Sequence, residues 1–238
     1  VKVIDNLSFG GEALIPFFSY PNYSFQKGDI RDVSNMKQAL DGIDCIIHLA
    51  GIVGYPACRK YPKESREINL DANRLLLDLA SKEQLILYAS TGSTYGELIG
   101  ELCTETTPLN PLTDYGKQKM EAEEMIMNRG NAVSFRFATA YGVSPRLRLD
   151  LLINDFTFKA VKDKTLIVYE KHFMRTFIHV RDMARSFLFT LEHFDTMNDE
   201  VYNVGDNAQN FSKEQICFMI REKTEYYLHF AEIGKDLD

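Results

Sequence analysis

A doubly wound α/β fold is the expectation for these 238 residues, and three observations carry it. Four short runs, Val1 to Ile4, Cys45 to Ala50, Leu85 to Ala89 and Val133 to Ala138, are read as apolar on successive rather than alternate residues, with Lys2, His48, Ser134 and Arg136 the exceptions. That is the pattern of parallel strands covered on both faces. Between the second and third runs, Ile68, Ala72, Leu75, Leu76, Leu79 and Ala80 recur at helical spacing and leave Arg74, Asp78 and Lys82 for water, which predicts an amphipathic crossover helix. A further helix is predicted from about Asp114 to Met127, with Thr113 or Asp114 able to cap its start and Gly130 closing its end. Strand, helix and strand in one direction build a doubly wound parallel sheet. After Gly142 the rhythm loosens, so residues 1–142 are expected to form the sheet domain and 143–238 a smaller α/β lobe with elements returning to the sheet.

Composition narrows the partners. With 45% hydrophobic and 26% charged residues the chain can bury one sizeable core or two modest ones. Lys and Arg number 27 against 34 Asp and Glu, a formal charge of −7, which disfavours non-specific binding to nucleic acid or an anionic membrane. An anionic ligand would need a local cationic pocket. Cys45, Cys58, Cys103 and Cys217 lie far apart without a Cys-x-x-Cys pair, as reduced thiols of a cytoplasmic protein would. No apolar run reaches membrane-spanning length and the start lacks a signal-peptide pattern. His172 and His179 stand seven apart around a predicted strand, and no cluster has metal-ligand spacing, so no metal is expected. Val1 to Ile4 reads as a strand already under way, and a fragment is expected.

In such a sheet ligands sit at the carboxyl ends of the strands. The first residue to follow a run is Asp5, whose carboxylate can accept both hydroxyls of an adenosine ribose and would repel a 2′-phosphate, favouring NAD over NADP; the plainer alternative is a turn cap. Gly28-Asp29-Ile30-Arg31-Asp32 offers a carboxylate and a backbone amide to an adenine edge. His48-Leu49-Ala50-Gly51 ends a strand in small residues that let a ligand approach the backbone, with His48 read as a structural histidine. Ala89-Ser90-Thr91-Gly92-Ser93-Thr94-Tyr95-Gly96 clusters hydroxyls at the next strand end. On the following helix, four-residue spacing puts Tyr115 and Lys119 on one face. A phenol with an ordinary pKa near 10 is a poor base, but an adjacent ammonium favours its phenolate. Tyr23 and Lys27 repeat the spacing in an extended segment, where they would stand about 13 Å apart. Context selects Tyr115.

These segments, with Asn69, Arg136 to Gly142, Arg175 to Asp182 and Tyr202-Asn203-Val204-Gly205, occur in the order of a known family. The chain resembles the extended short-chain dehydrogenase/reductases, in the NAD-dependent nucleotide-sugar epimerase/dehydratase group, over nearly its whole length. The resemblance implies a Rossmann-like sheet and NAD held by Asp5, Asp29, Ile30, Leu49, Ala50, Gly51, Asn69, Ala89, Ser90, Tyr115, Lys119 and Ala138. It implies Tyr115 as general base toward a sugar hydroxyl, Lys119 as its electrostatic partner and holder of the nicotinamide ribose, and Thr91 as the assisting hydroxyl. Ser93, Thr139 and Asn154 would meet the sugar nucleotide, and Arg175 would grip its diphosphate with a forked guanidinium. The implied activity is oxidation of a hydroxyl, at C4, of a nucleoside-diphosphate sugar, followed by epimerisation or release of the keto sugar.

Departures from the family matter too. Its dehydratases carry Asp and Glu after the catalytic Thr, where this chain has Gly92 and Ser93, so acid–base elimination lacks its usual groups. The glycine fingerprint expected ahead of Val1 is absent from the sequence. Alternatives are therefore a 4,6-dehydratase using other groups, or a non-catalytic NAD or nucleotide-sugar binder. The resemblance also implies a homodimer, for which Ala122, Met125, Ile126 and Met127 offer apolar surface. The basic, aromatic loop Tyr55 to Lys63, with Cys58, is expected to border the sugar pocket.

Overall fold

The computed structural model describes residues 1–96 and 103–232; the end of the expected second lobe, 233–238, lies outside the described residues. The chain runs through β1 (Lys2–Asp5), β2 (Ser24–Lys27), α1 (Val33–Leu40), β3 (Cys45–His48), α2 (Tyr55–Lys60), α3 (Pro62–Arg66), a π-helical turn Glu67–Asp71, α4 (Ala72–Leu79), β4 (Leu85–Thr91), a 3-10 turn Gly92–Tyr95, α5 (Asp114–Arg129) and β5 (Ala132–Phe137). It continues through β6 (Thr139–Tyr141), α6 (Leu152–Lys162), β7 (Thr165–Tyr169), β8 (Met174–His179), α7 (Val180–Glu192), α8 (Phe194–Met197), β9 (Val201–Val204), β10 (Asn210–Ser212), α9 (Lys213–Arg221) and β11 (Tyr227–Ala231). Two compact units result: Val1–Arg136 with Phe187–Asn203, and Phe137–Ser186 with the residues from Val204 onward.

In the first unit β3, β4, β5 and β9 form a sheet in that order, and β1 pairs in parallel with β2. β3 and β4 are parallel, with His48 opposite Tyr88. Full burial on both faces holds for β5 and for most of β4. It does not hold for β1 or β3, where Ile47 is 43% exposed. Among the described residues β1 pairs only with β2, and β3 is an edge strand. An apolar run reports a strand, and its neighbours decide how deeply it is buried.

Helix α5 follows its local signals. The Thr113 hydroxyl accepts the Gly116 N–H at 3.1 Å, and Gly130, at φ 76°, ends the helix in the left-handed region. Ala122 and Ile126 are buried with Leu70, Ile86, Tyr88 and Ala132, while Met125 and Met127 pack half-buried against them. These side chains, which the sequence offered as a partner surface, are used on the protein's own sheet. The crossover helix begins with the π turn before becoming regular α4, with Asn69, Ala72, Asn73 and Leu76 buried and Arg74 and Asp78 exposed. Such one-turn π segments are frequent at functional sites, and hydrophobic periodicity does not reveal them.

In the second unit β8 lies between antiparallel β10 and parallel β6, and β7 pairs with β11. Phe156, Ala160, Leu166, Val168, Phe177, Ile216, Cys217, Ile220 and Tyr226 form its core. An apolar cavity of about 290 Å³ beside α6 and α9 is lined by Ile153, Val161, Phe177 and Met219 among others. None of the site residues singled out from sequence lines it.

Candidate active site

Strand alternation builds the floor of the site. Ile86, Tyr88 and Ser90 share one face of β4, and Ile86 and Tyr88 meet α5 there. Ser90 is buried and its hydroxyl has no partner. Thr91 ends the strand and caps the 3-10 turn, its Oγ1 accepting the Ser93 N–H at 3.2 Å and its carbonyl accepting the Thr94 hydroxyl at 2.8 Å. Ser93 is exposed. Gly116 lets the start of α5 close on this turn, because a Cβ there would stand 2.9 Å from the Ser93 carbonyl oxygen.

Tyr115, 8% exposed, and Lys119 stand one turn apart on α5. The Lys119 Nζ lies 4.0 Å from the centroid of the Tyr88 ring, over its face. Burial brings the Lys119 ammonium down from 10.5 to about 7, opposed by the Glu123 carboxylate and, less, by the Cys58 side chain. His48 stacks on Tyr88 with ring centroids 5.9 Å apart. Burial, with repulsion from Lys119, lowers His48 to about 4, so it is neutral at pH 7. Burial also pushes the Tyr88 phenol well up, helped by the negative charges of Tyr115 and Glu123.

The small-residue strand end is held from below. Leu49 and Ala50 are exposed, whereas Asn69 is 3% exposed and fully engaged. Its Oδ1 accepts the Ile52 N–H at 2.8 Å, and its Nδ2 donates to the Ile52 carbonyl at 2.9 Å and to Gln118 Oε1 at 3.0 Å. A Cβ on Gly51 would stand 3.1 Å from Asn69 Oδ1. Asn69 thus fastens the 51–52 loop to α5. The segment expected as a loop over 55–63 is instead α2 and the start of α3, because Pro56 and Pro62 both start helices. Cys58 is buried and donates to the Ile52 carbonyl at 3.4 Å.

At the outer strands, Asp5 is exposed at the end of β1 and accepts the Leu7 N–H at 2.6 Å, so it does cap a turn. Asp29 is engaged by Arg31, with Nη2 2.7 Å from Oδ2 and Nε 3.0 Å from Oδ1. That pairing holds its carboxyl at about 2. The Ile30 side chain packs with Met36, Ala72 and Leu76. Around Asp29 and Ile30 the backbone is therefore what remains to meet a ligand.

The sequence reading missed a buried polar network. Arg136 Nη2 lies 2.6 Å from Glu123 Oε1, and both side chains are under 10% exposed. Arg136 Nη1 donates to the Tyr95 hydroxyl at 2.9 Å and to the Glu105 carbonyl at 3.1 Å. Tyr95 donates to Asn203 Oδ1 at 2.6 Å, and Glu105 Oε1 accepts the Asn203 N–H at 2.8 Å. The network ties the hydroxyl turn, α5, β5 and β9 together. Its available signal was Glu123 one turn beyond Lys119, on the same stripe.

The remaining residues belong to the second unit. Ala138 donates its N–H to the Val204 carbonyl at 3.0 Å, and Thr139 opens β6. Asn154 on α6 accepts the Gly142 N–H at 3.3 Å and donates to the Arg148 carbonyl at 3.1 Å. Arg175 is half-buried on β8, opposite Phe211 of β10. Among the described residues no three His, Cys, Asp or Glu side chains group to hold a metal.

The sequence profile of the NAD dependent epimerase/dehydratase family matches residues 2–205. The chain belongs to that family. This epimerase/dehydratase chain is 26% identical over 225 residues to a putative UDP-glucose 4-epimerase of Methanocaldococcus jannaschii, covering 90% of itself and 71% of that protein. It is 26% identical to the UDP-glucose 4-epimerase of Lacticaseibacillus casei, covering 94% and 74%. Its fold is that of the UDP-N-acetylglucosamine 4-epimerase from Methanobrevibacter ruminantium, with TM-score 0.87, 21% identity and coverage of 98% and 78%. It is also that of the dTDP-glucose 4,6-dehydratase from Streptomyces venezuelae, solved with NAD, with TM-score 0.85, 22% identity and coverage of 97% and 74%.

Proposed function

We propose that Tyr115, Lys119 and Thr91 handle the proton in oxidation of a hydroxyl, at C4, of a nucleoside-diphosphate sugar, the keto sugar then being reduced on its other face or released. The observation that carries the reading is the buried Tyr115 one turn from Lys119, whose ammonium lies over the Tyr88 ring of β4. The residues present fit NAD. Asp5 is exposed at its strand end, the strand end at Leu49 and Ala50 is open, and the Ser90 hydroxyl is buried with no partner. Bound NAD supplies the acceptor for the hydride.

Asp5 would hold the adenosine ribose, the backbone at Asp29 and Ile30 the adenine, and the 49–51 segment, Ala89, Ser90 and Ala138 the remainder. Asn69 acts through the loop it fastens. The Tyr115 oxygen takes the proton of the sugar hydroxyl, Lys119 favours its phenolate and binds the nicotinamide ribose, and Thr91 hydrogen-bonds the same hydroxyl. Arg175 would grip the diphosphate, with Ser93, Thr139 and Asn154 toward the sugar nucleotide. The four cysteines are free, which suits a reducing, cytoplasmic compartment.

Tyr115→Phe should lower turnover by at least ~100-fold while sugar-nucleotide affinity is kept; unchanged turnover refutes the assignment. Product analysis separates the outcomes. An epimer or 4-keto sugar is expected, because Gly92 and Ser93 supply neither acid nor base for elimination, whereas a 4-keto-6-deoxy product would make the protein a dehydratase.

A further inference from the structure

We infer that the face of the Tyr88 ring is a positioning element for Lys119, favouring its charged form and holding it in place over the middle of β4. This deepens the proposed role of Lys119 and rests on that reading for its functional meaning. Its structural basis is separate: Nζ stands 4.0 Å from the ring centroid, and among the described residues no carboxylate makes an ion pair with it. The carboxylate one turn further along α5, Glu123, is bonded to Arg136 through both oxygens and also accepts the Ser134 hydroxyl at 3.0 Å. Cation and ring in a desolvated setting attract through the ring quadrupole, more strongly than at a surface.

The other groups around the ammonium do not replace this. His48 on β3 is neutral at pH 7 and repelled when charged. Cys58 on α2 is a thiol that burial pushes up. Tyr115 and Glu123 lie one turn to either side on α5. Tyr88 is fully buried, its hydroxyl has no partner, and its register opposite His48 fixes the ring beneath α5. With the hydroxyl idle, the ring face is the part in use.

The test reads Lys119 directly, by mass-spectrometric measurement of reductive methylation at Lys119 across pH. Tyr88→Phe keeps the face and should leave the labelling curve in place. Tyr88→Leu removes it and should lower the protonated-to-neutral ratio of Lys119 at fixed pH by about tenfold, moving the curve to lower pH. Because Tyr88→Leu opens space in the core, a second series replaces Tyr88 by phenylalanines carrying one to three ring fluorines, which weaken the face at nearly constant volume. Its curve should move stepwise to lower pH. A flat fluorine series, or an equal shift in Tyr88→Phe, overturns the inference. If labelling shifts as expected but Tyr115→Phe retains turnover, the ring contact stands and the catalytic reading fails.

Discussion

Two cations of the first unit, Arg136, buried, and Lys119, half-buried, behave in opposite ways. At Arg136 burial works against the charge, but the hydrogen bonds it donates to Glu123 and Tyr95 outweigh it and raise the guanidinium further. At Lys119 burial wins, and the ammonium falls to about 7. The less covered of the two, Lys119, is the one whose charge burial disfavours on balance, so exposure alone does not explain the difference. The Glu123 carboxylate meets a planar fork in Arg136 at several contacts, and reaches Lys119 only through space. One cation is thereby fixed as part of the scaffold that carries the hydroxyl turn. The other stays titratable near neutrality, which is compatible with the role proposed for Lys119 beside Tyr115.

The largest effect should come from breaking the fixed pair. Arg136→Met leaves Glu123 buried and unpaired, and urea unfolding should show a loss of about 3–5 kcal/mol. Adding Glu123→Gln should recover a good part of it, since the stranded charge is then gone. An additive double variant would mean that the pair is not coupled.

Next is Lys119→Met. Between pH 7 and 10.5 the unfolded chain keeps a proton that the folded chain has released, so this group makes native stability rise with pH across that window. Its removal should abolish a slope of up to about 1.4 kcal/mol per pH unit there, while turnover falls. A pH–stability curve unchanged by the substitution would place the ammonium in water.

His48 acts over a narrower window. Its folded value near 4 lies below the ordinary 6.5, so the stability associated with neutral His48 is lost as pH falls from 6.5 toward 4. His48→Gln should flatten that acid limb. In the Lys119→Met background His48 should titrate at higher pH by NMR, because repulsion from the ammonium is gone.

Much of this protein was written locally. The parallel strands, the crossover helix, the caps of α5 at Thr113 and Gly130 and the Tyr115–Lys119 spacing depend on near neighbours in the chain, and each could be read from the residues around it. The Asp29–Arg31 contact is equally local and was legible in principle. What the tertiary structure alone decided is which distant side chains meet: Tyr88 beneath Lys119, Glu123 against Arg136, Asn69 across the 51–52 loop, and partly exposed flanks on β1 and β3 where mostly apolar runs promised burial. Propensity and spacing act within a turn or two of chain. The pairing of a cation with a carboxylate or with a ring face is set by strand register and helix packing, which bring residues far apart in sequence to within a few ångströms.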